Sequence, residues 1–320
     1  MTETSTTVDE TIHQVVMIGA GPAALSAAIY TTREDIETIL YERGVIGGLA
    51  AITDWVDNYP GFINGVAGLA LAEQLQGQAE RFGAKIRLGE VMQIEDKGDH
   101  KLLHTTDGDL KAKAVLIATG SDYRRLGIPG ENEYYGRGVH YCATCDGAFY
   151  RGKRLVVVGG GNSAVQEAIF LTRFTTHIDL LVRSTIRASD ILRKDLAEHA
   201  DKITVHLGTT TDEIIATDGK VTSVTGTQEG KKIEFATDGV FVFIGLDPNT
   251  DFLKNTQIKL DEFRLIKTDQ NLHTNMPGVF AAGDVRSGAT MQIASASGEG
   301  ATAALKIREY LEGKLVTRNQ

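Results

Sequence analysis

Cysteine is nearly absent from this chain. Two occur in 320 residues, and both lie in Cys142-Ala143-Thr144-Cys145-Asp146, so any thiol chemistry is confined to that stretch. Long apolar runs are missing too. None approaches the roughly 18 residues of a membrane span, and no membrane partner is expected. Positive charge is in deficit: a net charge of −9 argues against nucleic acid as the main partner. Residues 1–11 are rich in Thr and Glu, with neither a basic start nor an apolar core, so they do not read as a secretory signal. They are expected as a disordered tail. Cytoplasm is the expected compartment, and it suits a thiol pair that must be reduced to work. Tryptophan is reduced to Trp55, which is expected to pack rather than to serve as a stacking platform. What remains is globular in composition, 42% hydrophobic and 23% charged, with length for about two domains. Glycine is abundant at 35 residues and clusters in loops.

The C-x-x-C pair points to redox exchange. One turn of chain brings both sulfurs within bonding reach. At a helix start, backbone N–H groups and the helix dipole favour thiolate, the nucleophile of disulfide exchange. Asp146 follows directly and could pass the proton that such exchange moves. Two buried thiols, or half of a zinc site, are the alternatives. Structural zinc takes about four ligands, and His140 is the only nearby third candidate. His100 and His104 stand four apart but in a strand-like pattern that puts them on no helical face, so no metal is expected there either.

Residues 14–18 (QVVMI) read as a buried parallel strand, and Gly19-Ala20-Gly21-Pro22-Ala23-Ala24 follows, opening a helix to about residue 32. This is G-x-G-x-x-A between strand and helix, a pyrophosphate-binding turn. A second strand, residues 36–41, ends at Glu42. That acid lies 23 positions after Gly19, close to the roughly 20 at which a carboxylate meets a ribose hydroxyl. Gly47, Gly48 and Asn58 belong to a loop that either approaches a ligand or simply turns. Residues 72–82 read as an amphipathic helix, 85–107 as strands and 114–118 as a strand closing on Thr119-Gly120.

A second strand–turn–helix follows: residues 155–158, then Gly159-Gly160-Gly161-Asn162-Ser163-Ala164, 140 positions after the first. The repeat suggests two dinucleotide-binding units. The strand 178–182 ends without a carboxylate, and Arg183 and Arg187 follow. They suit a 2′-phosphate through charge-assisted hydrogen bonds; a solvated basic turn is the alternative. Asp179 lies inside the strand, too early to serve. Residues 239–245 read as a strand, 246–250 as a turn and 278–284 as a strand closing on Gly283 and Asp284. Asp284 either meets a cofactor hydroxyl or caps a helix. From Gln292 a small-residue helix runs to about residue 315, with Gly298 and Gly300 suited to close packing.

Together these stretches resemble the low-molecular-weight thioredoxin reductases over nearly the whole chain. The matching segments are residues 19–24, 47–61 (GGLAAITDWVDNYPG), 118–121, 126–138 (LGIPGENEYYGRG), 142–147 (CATCDG), 159–164 and 278–285. The resemblance implies an α/β fold of two Rossmann-like domains, three-layer ββα, the second inserted into the first. Residues 12–122 and 249–320 would form the FAD domain, and 123–248 the NAD(P)H domain with the C-x-x-C. FAD would be held by Gly19, Gly21, Pro22, Ala23, Glu42, Gly48, Asn58, Thr119, Gly120, Gly283, Asp284 and Gln292. NADPH, or NADH, would be held by Gly159, Gly161, Asn162, Ser163, Arg183, Arg187 and Gly245. Cys142, Cys145 and Asp146 would be catalytic, thioredoxin or a thioredoxin-like protein the partner, and the assembly a homodimer. The family's Gly-Gly-Gln-Leu-Thr-Thr is replaced by Gly47-Gly48-Leu49-Ala50-Ala51-Ile52, which removes polar contacts near the flavin. Its His-Arg-Arg…Arg run becomes Val182-Arg183-Ser184…Arg187, one residue shorter. The second turn carries Asn162 and Gln166 for Asp and Glu, and Met291-Gln292 replaces Arg-Gln. Three other readings stay open: a reductase fed by a ferredoxin-type donor, a dithiol oxidase using oxygen, and a flavin-bound redox sensor without turnover.

Overall fold

The apolar run around residue 15 forms the Ile12–Ile18 strand, which lies inside a seven-stranded sheet. The computed structural model describes residues 11–53 and 55–314; the tail expected over residues 1–11 lies, apart from Thr11, outside them. The chain divides into two units. One runs to Asp122 and resumes at Asp247; the other is Tyr123–Leu246.

In the first unit, Ile12–Ile18 pairs in parallel with Thr38–Glu42 and with Gly108–Ile117. Lys85–Leu88 and Val279–Ala281 extend the parallel part. Lys101–Thr105 and Val91–Asp96 continue it as an antiparallel meander. Successive side chains of a strand face opposite ways, and the core follows that period. Val15 and Met17 join one cluster with the helices Pro22–Thr32, Gly68–Arg81 and Ile293–Leu311. Val16 and Ile18 join another with Val91, Ile94 and Leu103 of the meander. Burial on both faces is why residues 15–18 of this strand read as an unbroken apolar run. Each fully buried Val, Leu or Met contributes roughly 1.5–3 kcal/mol.

Pro22–Thr32 begins with Pro at its first turn, where no N–H is missed. Alanines fill its interior, the best helix formers, and their small size lets Ile293–Leu311 approach. A side chain at Gly300 would collide with the Ala23 carbonyl, whereas Gly298, expected in the same role, has nothing within 4 Å of its would-be Cβ.

The second unit repeats the plan. Five parallel strands run in the order Val139–His140, Gly239–Val242, Arg154–Val158, His177–Val182, Ile203–Leu207. Leu155 and Val157 pack with Val165, Ala168 and Leu171 of the helix Asn162–Leu171 and with Leu196 of the helix Asp190–Glu198. Val156 and Val158 pack with Ile214, Val224 and Phe235 of the antiparallel meander Thr209–Thr217, Lys220–Gln228, Lys231–Ala236. Each unit is therefore helix, parallel sheet and meander in layers.

Several boundaries differ from the sequence reading. Residues 246–250 were expected as a turn, but Leu246–Pro248 is a strand paired with Ser121–Tyr123. Proline is tolerated there because a two-stranded ladder consists only of edges. The strand expected through Gly245 stops at Val242. The amphipathic helix starts at Gly68 rather than residue 72, and the last helix ends at Leu311. Trp55 does not pack in the core: it is 43% exposed, while its neighbour Val56 is buried. Among the described residues the Trp55–Val56 strand pairs with Val66–Ala67 alone.

Candidate active site: two glycine turns and a disulfide

At the first turn, Gly19 N–H donates to the Tyr41 carbonyl (2.7 Å), and Gly47 N–H donates to the Ala20 carbonyl (2.8 Å). Gly19 has φ +99°, and a Cβ there would strike the Ala118 carbonyl, so only glycine fits. Glu42 at the strand end is fixed by two backbone donors. Its Oε2 accepts from Ala20 N–H at 2.8 Å and its Oε1 from Gly44 N–H at 2.7 Å. A carboxylate has about four acceptor sites, so two remain for a ligand.

Other expected residues gather around this turn. Gly21 is the N-cap of the helix that begins at Pro22, with nothing within 4 Å of a would-be Cβ; Gly48 lies 3.7 Å from it by the same measure. Gly283 approaches Ala23, at 3.2 Å between Cβ positions, and Thr119 lies against Gly19. The Thr119 hydroxyl donates to the Asn249 carbonyl (2.8 Å), and Asn249 returns an amide N–H to the Thr119 carbonyl (3.0 Å). Asn249 N–H donates to the Gly120 carbonyl. Asn58 donates its side-chain amide to Gln292 Oε1 at 3.0 Å, so these two candidates hold each other. Asp284 accepts no side-chain hydrogen bond among the described residues. Burial, reinforced by the charge of Glu299, pushes its carboxyl up to about 6. Glu299 itself accepts from Gly283 N–H (2.8 Å) and Arg286 Nε (3.0 Å).

The second turn copies the first in backbone. Gly159 N–H donates to the Leu181 carbonyl (3.0 Å), and Arg187 N–H to the Gly160 carbonyl (2.6 Å). A Cβ at Gly159, φ +143°, would strike the Phe243 carbonyl. Gly161 is the N-cap of Asn162–Leu171. Asn162 Oδ1 accepts from Ser189 N–H at 2.9 Å, tying the loop 183–189 to the turn; Ser163 is exposed. Arg183 and Arg187 are exposed, and neither guanidinium has an ion pair or hydrogen bond among the described residues. Gly245 accepts from Arg124 N–H and packs on the Arg124 side chain.

Cys142 and Cys145 form a disulfide, their Cα atoms 5.3 Å apart. Cys142 is the N-cap of the short helix Ala143–Asp146, and its sulfur accepts from Cys145 N–H at 3.1 Å. Tyr141, just before it, is anchored by donating to fully buried Glu131 (2.6 Å), which also accepts from Leu126 and Gly127 N–H. His140 Nδ1 lies 3.2 Å from Asp146 Oδ2, and its Nε2 is 2.7 Å from the Tyr150 hydroxyl. His104 points elsewhere: its ring nitrogens meet Asp109 and Glu95.

Sequence reasoning singled out neither Tyr150 and Asn249 nor Glu131 and Glu299. Each acts over a sequence gap that carries no spacing rule, and a buried carboxylate leaves no mark on a hydrophobic pattern.

A parallel-sheet unit with a glycine turn, present twice, with a disulfide pair on one copy, defines a nucleotide-dependent disulfide oxidoreductase. Residues 13–300 match the profile of the pyridine nucleotide-disulphide oxidoreductase family, and the chain belongs to that family. It is 41% identical over 307 residues to the thioredoxin reductase of Bacillus subtilis, covering 95% of this chain and 96% of that protein. It is also similar to the solved thioredoxin reductase of Streptococcus pyogenes, at 40% identity and TM-score 0.90, over 94% of this chain and 99% of that one. The thioredoxin reductase of Giardia duodenalis is alike at 34% identity and TM-score 0.89, over 94% of this chain and 100% of that one.

Proposed function

We propose that this protein is a thioredoxin reductase in which the first glycine turn holds FAD, the second holds NADPH, and the Cys142–Cys145 pair passes electrons to thioredoxin. The observation that carries the reading is the Cys142–Cys145 disulfide in a chain whose 41% identical relative is a thioredoxin reductase. The unit formed by residues 12–122 and 249–320 is the FAD domain, and 123–248 the NADPH domain. The protein acts as a homodimer in the cytoplasm, as the family resemblance suggests.

The residues present fit the cofactors. The start of Pro22–Thr32 offers N–H groups without helical partners, beside an open Gly21, which suits a diphosphate. Asp284, a carboxylate without a donor, suits a polyol hydroxyl, and Glu42 a ribose. Arg183 and Arg187 suit a 2′-phosphate, which favours a nucleotide donor over a ferredoxin-type one. FAD, when bound, accepts a hydride from NADPH and passes two electrons to the disulfide. The chain's own part is to hold each nucleotide, to cap one sulfur with the Cys145 N–H, and to supply a proton from Asp146 beside Cys145.

The test is turnover with thioredoxin and NADPH. Cys142→Ser and Cys145→Ser are each expected to abolish thioredoxin reduction while NADPH still bleaches the flavin band. Unchanged turnover in both variants contradicts the reading.

A further inference from the structure

His140 is buried at 6% exposure, two residues before the disulfide, at the end of the Val139–His140 strand. Its ring is held on both sides. Phe241 stacks on it at 5.1 Å between centroids, and Tyr150 meets it edge-on at 5.3 Å. Nε2 is engaged by the Tyr150 hydroxyl at 2.7 Å, and Nδ1 lies within ion-pair distance of Asp146 Oδ2, at 3.2 Å. Burial, with the charges of Asp146 and Asp238, pushes the Tyr150 phenol well above its ordinary range, so it stays protonated and donates. Nε2 then accepts, and the imidazole proton sits on Nδ1, beside the carboxylate. Asp146 Oδ1 accepts nothing among the described residues. The charged and titratable groups that act on this cluster are few. Tyr135 lies within the field of Asp146, Arg125 faces Tyr135, and Asp238 faces Tyr150.

We propose that His140, locked by Tyr150, is a positioning residue for the proton chemistry of the Cys142–Cys145 pair. It holds Oδ2 of Asp146 and leaves Oδ1 to carry the proton. The inference rests on the reading of Asp146 as the proton donor. When a thiolate opens the disulfide, one sulfur forms the new S–S bond and the other leaves as thiolate. Asp146 gives that thiolate its proton, becoming a carboxylate whose charge the Nδ1 proton stabilises; solvent returns the proton. Removing the ring takes away that stabilisation of the carboxylate.

The experiment follows opening of the disulfide in the holoenzyme by dithiothreitol, trapped by alkylation and read by mass across pH. Rates are corrected for the thiolate fraction of the reagent. The wild type is expected to show a rate that falls above one ionisation, and Asp146→Asn to lack that limb. His140→Ala is expected to shift the limb up by about one pH unit, and Tyr150→Phe to shift it part of the way. His140→Asn, whose amide replaces Nδ1 but cannot titrate, is expected to return the limb towards the wild-type position. A limb unmoved in His140→Ala, or moved equally by Ala and Asn, overturns the proposal, as does a wild type without the limb. If His140→Ala does not fold, Tyr150→Phe and His140→Asn carry the same test. Variants that show these shifts, with a wild type that has the limb yet reduces no thioredoxin with NADPH, refute the proposed function and leave this inference standing.

Discussion

At the first turn Gly19 bonds to the carbonyl of Tyr41, and at the second Gly159 bonds to that of Leu181. The next residue is Glu42 in one unit and Val182 in the other. The repeat extends further. Ala118 N–H donates to Ile18 as Phe243 N–H donates to Val158, and Gly47 N–H donates to Ala20 as Arg187 N–H donates to Gly160. The backbone is thus one device used twice, and in the proposed function the side chains at the strand end set what each copy accepts. Where Glu42 accepts from Ala20 N–H, Val182 presses its methyl toward Gly160, 2.7 Å from a would-be Cβ. A carboxylate accepts from a 2′-hydroxyl and repels a 2′-phosphate. An apolar strand end followed by Arg183 and Arg187, which have no partner among the described residues, is proposed here to do the reverse.

The comparison breaks hardest at the two glycines that meet a carbonyl. Gly19→Val and Gly159→Val force the same collision in different units, each at a cost of about 3 kcal/mol or more. Gly19→Val is expected to lose its flavin, with retention down on the order of a hundredfold. Gly159→Val is expected to stay yellow but not bleach with NADPH. Flavin absorbance per chain and stopped-flow bleaching check both. If the roles came out exchanged, the assignment of the turns would be wrong.

A smaller effect is expected at Glu42. Glu42→Ala removes the proposed ribose acceptor and frees the Ala20 and Gly44 N–H groups. A charged hydrogen bond contributes roughly 1.5–3 kcal/mol, so flavin retention on ultrafiltration should fall about ten- to hundredfold, with the NADPH Michaelis constant unchanged. Arg183→Ala should act oppositely. The Michaelis constant for NADPH should rise about tenfold while that for NADH barely moves. Equal effects on both nucleotides would mean that the shortened loop aims Arg183 away from the phosphate.

An effect on stability rather than on nucleotide binding is expected at Asp284. Its carboxyl ionises at about 6 when folded, against 3.8 for the ordinary group. Between those values the folded chain keeps a proton that the unfolded chain has lost, so this group's contribution to stability falls as pH rises through that window. Asp284→Asn should therefore stabilise flavin-stripped protein by roughly 3 kcal/mol near neutrality and by nothing below about pH 3. Thermal melts at the two pH values check the difference. The same variant should hold FAD more weakly.

The two turns and their strands were legible because a strand buried on both faces is apolar at every position, and a turn that meets a carbonyl admits only glycine. The disulfide was legible because no other cysteine competes. Contacts that tie remote segments were not. Tyr150 reaches His140 across ten residues, and Asn249 reaches Thr119 across 130, with no periodicity to announce either. Residues 246–250 read as a turn from Asp247, Pro248 and Asn249, yet pairing of Leu246–Pro248 with Ser121–Tyr123 overrode that composition. Trp55 was expected to pack, and it lies against Gly65 in its hairpin with 43% of its surface exposed.

The central claim is that the second turn selects a phosphorylated nicotinamide donor for a flavin held at the first. Anaerobic titration of the wild-type holoenzyme with NADPH and with NADH, watching the flavin band, tests it most directly. Both should bleach the flavin, NADPH at about a tenfold lower concentration. Equal concentrations for the two would contradict the selection, and no bleaching by either would remove the nucleotide from the second turn altogether.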